Sequence, residues 1–287
     1  VSDAKSMAVQ GTSMVAVRTQ DTAGRVTSFS DGAAVTAVEY RGDGLISKLT
    51  QSGATLGSYS YDSSNRLKSA SGSGFTSQTF AFESTGDMKS VTEGTTTKAL
   101  SYFNNSSRAS AVAGKSISYS QRGLVVSDGS LVLTYDARGL VASVKKGTGT
   151  QYNYTYDALG RRQSKTPVSG TPTNYHYDIA GRLIAEFNPN TGETLREYIW
   201  LGRRPVMLVI PARPGVAETR YTIYTDASNT PIRLTNAAGV TVWRWTRNPF
   251  GSNPPSVQTV KLNLRMPGQY FDEESGFHYN RFRYYNP

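Results

Sequence analysis

From Gln151 to Tyr156 the chain alternates strictly, Gln151-Tyr152-Asn153-Tyr154-Thr155-Tyr156. An extended segment with this order sets three tyrosines on one face and Gln, Asn and Thr on the other, the signature of a β-strand. Asp157-Ala158-Leu159-Gly160-Arg161 follows directly. The Asp carboxylate can accept a hydrogen bond from the backbone two residues on, and the Gly can take positive φ without a Cβ clash, so the segment is predicted to be a hairpin turn. After the next such turn, Leu183, Ala185 and Phe187 alternate with Arg182, Ile184 and Glu186. This predicts a return strand with an apolar face.

The unit of strand, tight turn and strand is repeated. Tyr156, Asp157, Gly160 and Arg161 return twenty-one positions later as Tyr177, Asp178, Gly181 and Arg182. A fixed period of this size marks a repeat architecture, in which each unit buries its apolar face by stacking on its neighbours. Weaker copies are Asp21 to Arg25, Tyr61-Asp62 to Arg66 with Asn65 at the positive-φ position, and Tyr135-Asp136 to Gly139. In others the aromatic persists while the residue after it drifts from Asp: Tyr40-Arg41, Phe82-Glu83, Phe103-Asn104 and Tyr119-Ser120. Two copies follow at sixteen residues, as shorter return loops would produce. Tandem repeats are expected over 1–197, and a modified segment over 198–287 that continues the same sheet. Its marks are Trp200-Leu201-Gly202 in place of Tyr-Asp, and Pro205, Pro211 and Pro214.

A chain of 287 residues with 18 Tyr and 27 Gly suits many short strands joined by tight turns, as one large β domain or two smaller ones. No stretch longer than about a dozen residues carries helical spacing free of Gly, Pro and β-branched runs. The net charge of +10 favours acidic partners in general. The basic residues are scattered in ones and twos, as in Lys145-Lys146, Arg161-Arg162 and Arg203-Arg204, which fits solvated turn ends better than a nucleic-acid surface. There is no cysteine, so disulfides and thiolate metal sites are excluded. No apolar run reaches the roughly twenty residues of a membrane-spanning helix. The opening Val1-Ser2-Asp3, without Met, reads as a piece cut from a longer chain.

Candidate chemistry is sparse. Asp272, Glu273 and Glu274 stand close to His278 and could form an acid/base cluster, but they precede Ser275-Gly276 between two aromatic strands, where a polar turn is expected. His176 lies between Tyr175 and Tyr177 on a repeat strand, so neither a metal site nor a cofactor is expected. No Gly-x-Ser-x-Gly elbow supports a hydrolase triad. Gly147-x-Gly149 lacks the helix that a phosphate-binding loop requires and, like Ser69 to Gly74, reads as a hairpin connection.

Together the Tyr-Asp-x-x-Gly-Arg copies, Trp200-Leu201-Gly202, Thr225-Asp226 to Pro231, Asn248-Pro249-Phe250-Gly251 and the closing block Asn263 to Pro287 resemble the C-terminal core of an RHS/YD-repeat protein. The resemblance implies an all-β fold of repeated hairpins wound into a spiral sheet, part of a shell or cocoon. It implies a shell segment of a secreted bacterial toxin that encloses a C-terminal toxic domain until delivery. The partners implied are the remainder of the shell, the enclosed domain and proteins of the secretion system. In many members an autoprotease at the end of the core uses an Arg and an Asp. Arg283 matches that Arg, but Tyr284 and Asn286 stand where acids are common, and the downstream Asp motif is absent, so no enzymatic activity is expected of this piece. The competing class is a surface module that binds glycans or other acidic polymers through its aromatic and Arg-rich faces. Isolated, a cut spiral is expected to be an open, curved sheet prone to self-association.

Overall fold

A computed structural model describes residues 5–8 and 15–287; the opening Val1-Ser2-Asp3 lies outside them. Every regular element among the described residues is a β-strand. Among the described residues twenty-nine strands form antiparallel sheets of 12, 14 and 3 strands, and within each sheet the spatial order of the strands is their order in the chain. This is what repeated tight turns dictate, since each turn returns the chain alongside the strand just made. Among the described residues no ladder joins the first strand of a sheet to its last, so the sheets are not closed into barrels. Gly147 to Gly149 lie in a hairpin connection, whereas of Ser69 to Gly74 only Ser73-Gly74 form the turn and Ser69 to Gly72 belong to the strand Leu67–Gly72.

The chain forms two compact units. One comprises the described residues up to Ser77 together with Arg196–Tyr270 and Pro287; the other comprises Gln78–Leu195 and Phe271–Asn286. In the first, Val26, Phe29 and Val38 pack with Tyr40, Ile46, Leu49 and Ile232. Its second centre of burial is Trp243 and Trp245, with ring centroids 6.2 Å apart, over which the Arg265 guanidinium lies at 5.7 and 5.1 Å. Asn248, fully buried at the start of Asn248-Pro249-Phe250-Gly251, accepts the Ser252 N–H through Oδ1 and donates through Nδ2 to Ser252 Oγ. In the second unit the core is Leu131, Leu133, Val141, Val144, Tyr154 and Phe277, lined by Tyr135, Tyr152, Tyr156 and Tyr284.

The alternation of Tyr152–Tyr156 is realised: Tyr154 is buried while Asn153 and Thr155 are exposed. The return strand Leu183–Phe187 departs from its expected pattern, because Glu186 is buried and Ala185 only half-buried. A β-bulge is the cause. Tyr177 is opposite Leu183, but the register shifts at once, so that His176 faces Ala185 and Tyr175 faces Glu186. The extra residue moves the face by one position, and the side chains that share the tyrosine face are the first and fourth after the turn. The same shift recurs in other repeats, where Tyr156 and Tyr154 face Arg162 and Lys165, and Tyr61 and Tyr59 face Leu67 and Ala70.

Candidate functional site

Each turn is built around its acid. At Asp157 the backbone N–H donates to the Arg161 carbonyl at 2.9 Å, and the Gly160 N–H donates to the Asp157 carbonyl at 3.1 Å. Asp157 Oδ1 accepts from the N–H groups of Leu159 and Arg161, both at 2.9 Å, and Oδ2 accepts from Arg161 Nε at 2.7 Å. Gly160 has φ of 73° and Gly181 of 79°, with Asn65 at 60° in the turn of Asp62. Asp178 holds Arg182, and Asp62 holds Arg66, in the same way. In the Asp136 turn, where Gly139 has φ of 85°, Arg138 takes the place of the later Arg at Oδ2. The degenerate copies keep the geometry. Asn236 Oδ1 accepts from Ala238 and Val240, and Asp226 Oδ1 from Ser228 and Thr230.

The tyrosine and arginine of the repeat reach to the neighbouring turn. The Tyr156 hydroxyl donates to the Val141 carbonyl at 2.7 Å, Tyr177 to Arg162 at 3.0 Å, Tyr61 to Ile46 at 2.8 Å and Tyr135 to Val125 at 2.5 Å. In each case the acceptor lies just past the preceding turn. In the other direction the Arg161 guanidinium stands over the Tyr177 ring at 5.4 Å and donates to the Asp178 carbonyl at 3.1 Å. Arg138 does the same to Tyr156 and Asp157, at 5.9 and 2.9 Å. Cation–π contact and charge-assisted hydrogen bonds of this kind fix the spacing of consecutive turns.

The second feature is a buried ionic cluster in the unit containing Gln78–Leu195 and Phe271–Asn286. Arg162, 1% exposed, makes a bidentate pair with Asp272, 0% exposed, at 2.6 and 2.9 Å. Lys165 Nζ donates to Asp272 Oδ1 at 3.2 Å and to Glu274 Oε2 at 3.1 Å, and the Tyr154 hydroxyl donates to Glu274 Oε1 at 2.7 Å. The Arg162 backbone N–H donates to the Tyr279 hydroxyl at 2.7 Å. Its guanidinium lies over the rings of Tyr279, Tyr175 and Tyr154 at 4.4, 4.9 and 5.1 Å. Tyr156 and Tyr284 share a hydroxyl–hydroxyl bond of 2.8 Å.

Burial pushes the Asp272 carboxyl up, but Arg162 and Lys165 more than offset this and hold it below the usual carboxylate range. Burial likewise lowers Lys165, and Asp272 and Tyr175 reverse it, so the ammonium is held firmly protonated. The Tyr175 hydroxyl is pushed up to about 12, and Tyr154 further, by burial. Two acids matched with two cations under a roof of neutral tyrosines make a lock between the closing block and the repeat strands. A carboxylate committed to Arg162 and Lys165 is a poor general base.

The polar-turn expectation for Asp272 to Glu274 therefore needs correction in one respect. The turn is there, with Ser275 N–H donating to the Asp272 carbonyl at 3.2 Å, but only Glu273 is exposed. Asp272 and Glu274 point into the cluster because the bulge has set two cations on the facing strand. His278 is buried between the rings of Phe271 and Tyr285, each 5.7 Å away, whereas His176 is exposed and packs on Phe187 at 4.4 Å. Arg283 is exposed on the strand Arg283–Tyr285, opposite Asn280 and outside the cluster, and Tyr284 stacks on Tyr154 at 6.0 Å. The sequence reading missed Arg162 and Lys165. Arg162 reads as a duplicate of the repeat Arg161, and its pairing with Lys165 on one face appears only once the bulge after each turn is counted.

Sequential antiparallel strands, Asp-centred turns and turn-to-turn Tyr and Arg contacts define an RHS/YD-repeat protein. The Teneurin YD-shell family model matches residues 44–256, and the chain belongs to that family. Toxin protein Tse5 of Pseudomonas aeruginosa is 37% identical over 81 residues, covering 27% of this chain and 6% of that protein. The putative uncharacterized protein YibJ of Escherichia coli K12 is 38% identical over 76 residues, covering 25% of this chain and 31% of YibJ. The chain therefore spans less than a third of the length of either curated relative. Among solved structures, the Tc holotoxin pore of Photorhabdus luminescens aligns with a TM-score of 0.68 at 15% identity, over 94% of this chain and 16% of that one. A TcdB2-TccC3 structure aligns at 0.67 and 15%, over 99% and 17%. At these identities the likeness is one of fold. No helix among the described residues is long and apolar enough to cross a membrane.

Proposed function

We propose that this chain is a wall segment of a secreted toxin shell, which encloses a C-terminal toxic domain until it is delivered to a target cell. The observation that carries the reading is the coupling of each turn to the next by Tyr hydroxyls and Arg guanidiniums, with Asp272 and Glu274 of the closing block engaged by Arg162 and Lys165 rather than left for catalysis. Likeness to a toxin of P. aeruginosa and to structures of Tc toxins supports it. The role is one of containment, not of enzymatic turnover. Residues 1–197 supply the repeats and 198–287 the terminal segment of the same wall. The partners are the rest of the shell, the enclosed domain and the delivery proteins. Tyrosine suits the inner surface of such a wall, because its ring contributes buried area while its hydroxyl tolerates a wet face.

The test is protection of a passenger. The parent protein, with its C-terminal domain in place, is treated with protease, and digestion of that domain is timed against the same domain expressed alone. Protection expected of the intact shell is lost in Asp272→Ala. Equal digestion rates with and without the shell would sink the reading, and salt-sensitive binding to heparin by the unsubstituted chain would put a surface-binding module in its place.

A further inference from the structure

Arg18, on the strand Val15–Gln20, and Arg204, on the strand Arg204–Ile210, line one cavity of about 10 Å³, room for a single water-sized occupant. Both belong to the same compact unit. Arg18 donates through its two terminal nitrogens to Asn229 Oδ1 at 2.9 Å and to the Asp226 carbonyl at 2.5 Å, while its Nε is buried with no acceptor. Arg204 has no acidic partner among the described residues. Asp226 attracts Arg18, but its carboxylate is taken by Arg247 at 3.1 Å. Two cations therefore share a partly desolvated space whose lining holds no carboxylate. Burial and the charge of Arg204 lower the Arg18 pKa, and burial lowers that of Arg204.

The rest of the lining matches. Ser30 Oγ accepts from the Gly32 N–H, which leaves its hydroxyl proton free to donate, and the buried Thr225 brings a second hydroxyl. Val206 and Ile223 supply apolar wall. Guanidinium N–H and hydroxyl donors around a space too small for a phosphate, with dry walls that strengthen the charge interaction, describe a small-anion site.

We propose that this cavity binds one small monovalent anion of the halide class, held between Arg18 and Arg204, and that the anion fastens the repeat strand Val15–Gln20 to the strands Arg204–Ile210 and Thr219–Thr225. The proposal is independent of what the shell contains.

The test uses the whole chain. Thermal unfolding is followed in sodium chloride and in sodium methanesulfonate at equal ionic strength. Chloride is expected to raise Tm by about 2–4 °C, the shift of a site that is mostly filled. Arg204→Gln should lose that difference. Arg203→Gln, which removes the same charge from the exposed neighbouring position, should keep it. Equal Tm values of the unsubstituted chain in the two salts, or a difference that survives in Arg204→Gln, would overturn the proposal. Should Arg204→Gln not fold, crystals of the unsubstituted chain soaked in bromide decide the matter. An anomalous peak beside Arg18 Nε supports the site, and a featureless map there refutes it.

Discussion

Gly160 and Gly181 occupy the same place in successive turns, with φ of 73° and 79°, yet their surroundings differ. A Cβ at Gly160 would lie 2.4 Å from the Phe282 ring, whereas at Gly181 nothing is within 4 Å. Gly181→Ala should therefore cost only the left-handed strain, about 1 kcal/mol, and Gly160→Ala clearly more, because the Phe282 ring must move as well. Urea unfolding of the two variants side by side checks the order; equal midpoints would show that Phe282 yields freely. At Asp157, replacement by Ala removes three acceptor contacts at the turn. The loss should be about 1–2 kcal/mol, read from the same urea curves, because the site is only partly buried. These turns were legible in the sequence, since Asp and Gly each have a stereochemical reason to stand where they do.

The element that carries most of the consequence is the bulged hairpin. A plain strand alternates by two, and reading Leu183–Phe187 that way puts Glu186 on the wrong face. The bulge is not visible in any single repeat, because no residue type demands it; it emerges from closing a turn whose loop leaves one residue unpaired. Arg162 and Lys165 were hidden for this reason, and their acidic partners were hidden because they lie more than a hundred residues along the chain. Stability should follow the lock. Asp272→Ala strands a buried guanidinium and should cost about 3–5 kcal/mol, while replacing Arg162 by Met and Asp272 by Leu together should recover most of that loss. A double-mutant cycle from chemical denaturation measures the coupling, and additive losses would mean the pair does not act as one.

At the scale of the molecule the titrating groups bracket a range of pH. Asp21 and Asp62, through backbone hydrogen bonds above all, are held below the ordinary carboxylate range in the folded chain. At Asp136, Asp157, Asp178 and Asp272 burial opposes the shift, and hydrogen bonds and cations outweigh it. Their contribution is complete above the unfolded carboxyl value, about 3.9, and is lost as pH falls below it toward the folded values. The tyrosines act at the other end. Burial raises Tyr154, Tyr156, Tyr175, Tyr177 and Tyr284, so the stability they confer is present below about pH 10 and is lost as pH rises beyond it. A plot of Tm against pH should be level in the middle and fall below about 4 and above about 10. A chain as stable at pH 11 as at pH 8 would contradict the burial of these hydroxyls. That strands would pair in chain order was readable from the repeat alone, because each turn leaves only one neighbour within reach; the docking of residues 271–286 was not, because no periodicity points to it.

The hydroxyl of each repeat tyrosine seeks a main-chain carbonyl of the turn before it, and every residue type offers one. A donor that asks nothing of its neighbour's identity makes the repeats interchangeable. Such a gene can gain, lose or shuffle whole units by recombination, with the joint between any two already made by the tyrosine, provided each unit keeps the Asp and the positive-φ residue that close its own turn.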